Sequence, residues 1–396
     1  MTVPSHPEEV SLLYVATISH TIRRFLLPYA AHFRGIGWRV VAAANGASAD
    51  PILREAFDAV YEIPLSRSLR DVGALIEGER AIAKVASGHE IVHVHTPIAS
   101  FVTRLATSRI SRPQRPAVAY TAHGFHFHRG GWAGTNAVFR TAERLAGRWT
   151  DRLVVINEED FLAAQRHRIV DPGRLVRMPG IGIDTGWFSR SRLGEDEPAR
   201  IRRELGIGAD APLFVVAAEY NRNKRVGDVI RALAAMRHPE AELLLIGGGP
   251  GRARLAALAE REGVRRRTRI EGFVDDLRPI VSAATALVLP SKREGLARSI
   301  MEALSLEVPV IASTARGNEE LVGTDSGLVV RTGDIAGFAA AMDWMIDHPG
   351  QRHAMGARGR VRMVEGYDIR IVIQRHEEMY RQMLAERRRA SAGPAG

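Results

Sequence analysis

Residues 290–313 read PSKREGLARSIMEALSLEVPVIAS, and the fold is decided there. An apolar run ends at Leu289, a polar loop with a glycine follows, and a helix-forming run starts near Ala297. VPVIAS then supplies another run of strand length. Strand, loop, helix and strand in that order are the repeating unit of a parallel sheet.

The same alternation extends in both directions. In the first half Leu12–Ala16 reads as a strand, Arg23–Gly35 as a helix and Trp38–Ala44 as a strand, with further strands at Glu90–His95, Ala117–Ala122 and Leu153–Asn157. A lapse into SRSRLGEDEPARIRRELGIGADA, between Phe188 and Ala211, gathers charge, proline and glycine and marks a domain join. Strands at Leu213–Ala217, Glu242–Ile246, Arg269–Glu271, Ala286–Leu289 and Val308–Ala312 form a second series. The expectation is α/β: a Rossmann-like domain over 1–188, a second over 200–367, a closing helix over 368–389 and a disordered tail over 390–396. Two doubly wound domains facing each other would enclose a deep cleft, the default place for a ligand.

Composition narrows the class. The 396 residues are 45% hydrophobic and 25% charged, as in soluble globular proteins. Cysteine is absent, which removes disulfides, thiolate zinc sites and cysteine nucleophiles and fits a reducing interior. The start, MTVPSHPEEVSLLYVAT, lacks a basic segment followed by an apolar one, so no secretory signal is expected. No apolar run approaches the roughly 18 residues that cross a bilayer. A net charge of +10 suits anionic lipid, nucleotide phosphates or nucleic acid, or simply an arginine-rich surface.

The deciding stretch also carries chemistry. A helix N-terminus presents unpaired N–H groups and partial positive charge, so a diphosphate would sit over Ala297, Arg298 and Ser299, with the Ser299 hydroxyl as an added donor. Glu302 lies roughly 6 Å further along the axis than Arg298. A carboxylate only accepts hydrogen bonds, and a ribose diol offers two donors. Glu294 stands beyond the helix tip, where a hexose would be. Either acid alone could be a bland loop or surface residue; their placement in one strand-loop-helix favours function.

At these residues the chain resembles retaining glycosyltransferases of family 4, which have the GT-B fold. The resemblance also rests on LLLIGGGPGRARLAALA, RIEGFVDDL and GNEELVGTDSGLVV, and in the first half on EIVHVHTP, YTAHGFHF, DRLVVINEED and MPGIGIDTGWF. The last set is most similar to enzymes of capsule and exopolysaccharide assembly. The resemblance implies that Glu294 contacts the transferred sugar, that backbone amides of Gly295, Leu296 and Ala297 line it, and that Glu302 holds the ribose. It places Lys224 on the diphosphate, Gly248 in a cleft-lining turn, Gly272 and Val274 at the base, and His123 at the donor sugar. Relatives often carry an arginine five residues before that lysine; here Glu219 stands there, leaving Arg222 or Arg225 to compensate.

Strand-end His95 and, in the first loop, His20 are acceptor or donor contacts in this reading, while His93 packs within its strand. His123, His126 and His128 alternate, but no Asp, Glu or Cys is spaced to complete a metal site. No Asp-x-Asp pair occurs, so neither a cofactor nor a required cation is expected, and lysine and helix tip supply the electrostatics. The partners implied are a nucleotide-sugar, most simply a UDP-sugar, and a glycan or lipid-linked acceptor. Arg23, Arg24 and the apolar FLLPY could meet an anionic membrane or be a core-packing helix with exposed arginines. The place expected is the cytoplasm, with peripheral contact at the inner membrane face. Two rivals remain: a nucleotide-sugar epimerase of the same architecture, and a nucleic-acid binder with steep salt dependence, which no basic patch interleaved with aromatics supports.

Overall fold

The computed structural model describes residues 10–66, 71–111, 114–128 and 130–391. The tail over 390–396 therefore lies largely outside the described residues, as do the first nine positions. The chain divides into two compact units, residues 1–181 with 372–396, and residues 182–371.

The first unit holds a seven-stranded parallel sheet: β1 (Ser11–Ile18), β2 (Arg39–Asn45), β3 (Ala59–Glu62), β4 (Ile91–His95), β5 (Ala117–Ala122), β6 (Arg152–Val155) and β7 (Leu175–Arg177). The spatial order is β3-β2-β1-β4-β5-β6-β7. Leu12 to Ala16, Val40 to Ala44 and Ile91 to His95 are buried without alternation, as strands covered by helices on both faces must be. The order reverses between β1 and β4, in register Leu12 to Ile91 and Val15 to Val94. There Thr17 Oγ1 meets Thr96 Oγ1 at 2.7 Å. Thr96 has φ +73°, a left-handed conformation that a β-branched residue adopts only when its surroundings compel it.

One helix expected over Arg23–Gly35 is two, Ser19–Phe25 and Leu27–Gly35. Pro28 lacks an N–H and starts the second at Leu27, with Leu26 as the joint. Within FLLPY, Leu26 and Tyr29 are buried, Phe25 and Leu27 are half-buried and Pro28 is exposed, so the stretch packs one side on the core, as the core-packing alternative has it. The last helix, Ile369–Ser391, packs on the first unit: Phe33 and Trp38 lie against Tyr380, His32 Nε2 meets Glu377 Oε2 at 2.7 Å, and Arg152 meets Glu386 at 2.5 Å.

The second unit holds six parallel strands: β8 (Leu213–Ala217), β9 (Glu242–Ile246), β10 (Thr268–Ile270), β11 (Ala286–Leu289), β12 (Val310–Ser313) and β13 (Gly327–Val330). Their order is β10-β9-β8-β11-β12-β13, with the reversal between β8 and β11. Among the described residues, no helix is long and apolar enough to cross a membrane.

Candidate active site

In an open parallel sheet, loops leaving two strands at the reversal point diverge and leave room for a ligand beyond their carboxyl ends. In the second unit those loops follow β8 and β11, and they carry Lys224 and Glu294. The structure brings the two side chains together, Lys224 Nζ to Glu294 Oε1 at 2.7 Å. Both are largely shielded from solvent.

The backbone fixes that meeting. The Asn221 side chain accepts from the Asn223 and Lys224 N–H groups at 2.9 and 3.0 Å, which aims the lysine. Lys292 N–H donates to the Asn223 carbonyl at 2.7 Å and the Asn223 amide donates to the Arg293 carbonyl at 2.8 Å, tying the two loops together. From the other side Ser313 Oγ donates to the Ser291 carbonyl at 2.5 Å, and Arg316 Nε to the Glu294 carbonyl at 3.2 Å. Gly317 has φ +78°, and a Cβ built there would stand 1.8 Å from the Gly295 carbonyl oxygen. Only glycine permits that approach. Sequence reasoning missed Asn221, Asn223, Arg316 and Gly317, for their roles are contacts to backbone, local for Asn221 and between loops for the other three.

The helix after this loop is Arg298–Ser305, with Ala297 as a cap that offers no side-chain bond. Ser299 in its first turn is half-buried. Ile300, Met301, Ala303 and Leu304 are buried. Glu302 is buried as well, not a solvated residue, and accepts from Arg298 Nε at 2.8 Å. Gly248, Gly272 and Val274 follow β9 and β10 at the same sheet edge. The Phe273 ring lies where a Cβ on Gly248 would be, at 2.5 Å, and the Gly247 N–H donates to the Gly272 carbonyl at 3.2 Å.

Glu219 is exposed. Arg225 is held by Asp228 at 2.6 Å, and with Arg222, Arg231, Arg254 and Arg261 it lines a separate cavity of about 750 Å³ that neither Lys224 nor Glu294 borders. The structure thus turns both suggested substitutes for the missing arginine toward that cavity.

In the first unit His123 follows β5 and its Nε2 lies 3.0 Å from His95 Nδ1 at the end of β4. The Phe25 ring stacks on His123 at 6.4 Å. Burial first, then the nearby His376, lowers its pKa to about 4, so the ring is neutral at pH 7. His95 is held well below the usual histidine value by burial and by His93, His123 and His376, and its buried Nε2 has no partner among the described residues. A neutral pair can donate or accept but carries no charge. His93 is packed inside its strand: one ring nitrogen meets the Tyr380 hydroxyl and the other Thr121 Oγ1 at 2.7 Å. His20 is exposed on the helix Ser19–Phe25. The His126 ring packs 4.9 Å from Phe139, and the His128 backbone N–H donates to Asn136 Oδ1 at 3.3 Å.

Comparisons with known proteins meet this geometry. The family model described as glycosyl transferases group 1 matches residues 198–362, which include Lys224, Glu294 and Glu302. A protein of Bacillus subtilis named putative glycosyltransferase EpsD is 33% identical over 355 residues, 88% of this chain and 91% of its own. An Escherichia coli galactosyltransferase named for a GlcNAc-diphosphoundecaprenol acceptor is 24% identical over 325 residues, 81% of each chain. The crystal structure of Anabaena HepE in complex with UDP-glucose superposes with a TM-score of 0.79 at 18% identity, over 94% of this chain and 100% of that one. The two parallel sheets are those of a GT-B enzyme. The chain belongs to the group 1 glycosyl transferases.

Proposed function

We propose that this chain is a retaining transferase that moves a hexose-type sugar from a UDP-sugar to a lipid-linked glycan in polysaccharide assembly. The observation that carries it is the Lys224–Glu294 contact at 2.7 Å, at the loops where the second sheet reverses. The names of the relatives support the rest, since one is named for a diphospholipid acceptor and one neighbour was solved with UDP-glucose.

In this reading Glu302 holds the ribose, and the tip of the helix Arg298–Ser305 with Ser299 holds the diphosphate. Gly248, Gly272 and Val274 border the base. Glu294 and the amides of Gly295, Leu296 and Ala297 hold the sugar, and neutral His123 donates to it, with His95 behind. The acceptor oxygen attacks the anomeric carbon on the face that the diphosphate leaves. The carbon–oxygen bond to the phosphate breaks as the new one forms, and the acceptor's proton passes to the departing phosphate. Lys224 offsets the charge developing there, so no cation is required. The reaction takes place at the cytoplasmic face of a membrane, where a lipid-linked acceptor is held.

Glu294→Ala and His123→Ala abolish transfer and leave the circular dichroism unchanged. UDP raises the melting temperature of the unaltered chain more than GDP does. Normal turnover in either variant refutes the site, and stabilisation by GDP alone refutes the donor.

A further inference from the structure

The helix Ala133–Gly147 of the first unit leaves apolar side chains facing water. Trp132, at its N-cap, is 77% exposed, Val138 68% and Leu145 42%. Val138 and Leu145 are two turns apart and share a side, with exposed Thr141 between them. On the helix Glu158–Arg166, Leu162 adds another at 45%. The two helices are neighbours, since Asn136 and Arg140 of the first and Leu162 and Arg166 of the second line one cavity of about 380 Å³.

Arginines frame this face. Arg140, Arg144, Arg148, Arg166 and Arg168 have no carboxylate partner among the described residues. Arg140, Arg166 and Arg144 stand close enough to His167 to add to burial in lowering its pKa. The acids nearby do not cancel them. Glu143 is held by buried Arg104 at 2.9 Å and Glu158 by Arg177 at 2.5 Å, while buried Asp160 accepts from the Asn157 amide at 2.9 Å and Glu159 is the remaining acid lining the cavity.

We propose that this face docks on an anionic lipid bilayer, with Trp132, Val138, Leu145 and Leu162 at the acyl boundary and the arginines on lipid phosphates. An exposed indole beside short apolar side chains, rimmed by guanidiniums, matches the layering of a membrane interface. A second copy of this chain related by a two-fold axis would set arginine against arginine. Nucleic acid would use the guanidiniums but leave four apolar side chains in water. The proposal rests on the reading of a membrane-held acceptor and names the surface that reaches it. That surface is distinct from the FLLPY stretch, in which Leu26 and Tyr29 are buried.

The test is sedimentation of the full chain with vesicles of phosphatidylglycerol and phosphatidylcholine, and with phosphatidylcholine alone. The unaltered chain sediments with the anionic vesicles and releases as salt rises. Each arginine removed weakens binding about fivefold, so Arg140→Gln, Arg144→Gln and Arg148→Gln together weaken it about a hundredfold. Trp132→Ser, Val138→Ser and Leu145→Ser together weaken it at least tenfold, with the melting temperature as a check on folding. Full binding by either triple variant overturns the surface, as does a dimer in gel filtration that the serine variant dissociates. A chain that ignores anionic vesicles yet transfers sugar to a water-soluble acceptor overturns the surface alone. A chain that binds vesicles through these residues but transfers nothing overturns the proposed function instead.

Discussion

Lowering the pH from 7 to 5 is expected to unfold the first unit before the second. His89, His93, His95, His123 and His376 all lie in the first unit, and each is held below the usual histidine pKa. His376 and His89 are both buried, and both are pushed down to about 4, by burial in each case and by Arg39 beside His89. A histidine depressed in the folded state binds its proton more readily in the unfolded chain, where its pKa is about 6.5. Its stabilising effect is therefore fully present above pH 6.5 and drains away as pH falls through 4. At pH 5 each of these two rings costs about 2 kcal/mol, so the pair removes about 4 kcal/mol, and His93 and His95 act in the same direction. Whole domains are stable by only about 5–15 kcal/mol. Hydrogen exchange of β4 peptides and of β11 peptides in urea separates the units. With a urea slope of about 3 kcal/mol per molar, the β4 midpoint drops by more than about 1 M between pH 7 and 5, while β11 moves little. His376→Met takes about half of the pair's pH dependence away. An unchanged β4 midpoint at pH 5, or a His376→Met variant with the original pH profile, refutes the reasoning.

Three further outcomes bear on the site. Glu302→Gln keeps the shape but weakens a charged hydrogen bond, so the donor KM rises about tenfold with kcat nearly unchanged; a lost kcat would move Glu302 to the chemical step. Gly317→Ala and Gly317→Asn both push on the Gly295 carbonyl and lower kcat at least tenfold, although asparagine tolerates positive φ. Activity in the asparagine variant would show that backbone strain, not the clash, is what matters. Chelation by EDTA leaves the transfer rate unchanged; a loss that Mg²⁺ or Mn²⁺ restores would refute the metal-free reading.

The fold was legible wherever strands are covered on both faces. Ala117–Ala122, Leu213–Ala217, Glu242–Ile246 and Ala286–Leu289 read as mostly apolar runs of strand length and are strands over those residues. At the sheet margins the signal fails. Ala59–Glu62 and Leu175–Arg177 are four and three residues long with none fully buried, so no long apolar run announces them, and Gly327–Val330 is only four residues long. In the site, residue types and spacing singled out Glu294 and Glu302, and the family resemblance pointed to Lys224, but spacing says nothing about a pair 70 positions apart. Lys224 meets Glu294 because β8 and β11 are hydrogen-bonded neighbours, a fact of topology. Arg316 and Gly317 act through the backbone of a loop two strands' worth of sequence away, for which one chain offers no cue.

The first unit is discontinuous, and this constrains how such enzymes can be recombined. The chain leaves it after Ile181 and re-enters at Val372. Within the second unit the two passages are stitched together: Ile183 N–H donates to the Tyr367 carbonyl and Ile369 N–H to the Ile183 carbonyl, both at 2.9 Å. A chimera with one junction in the middle would separate Phe33, Trp38 and His93 from the Tyr380 that covers them. Exchange of the second unit between relatives therefore needs a cassette with two junctions, at the stitched ends, rather than a single crossover.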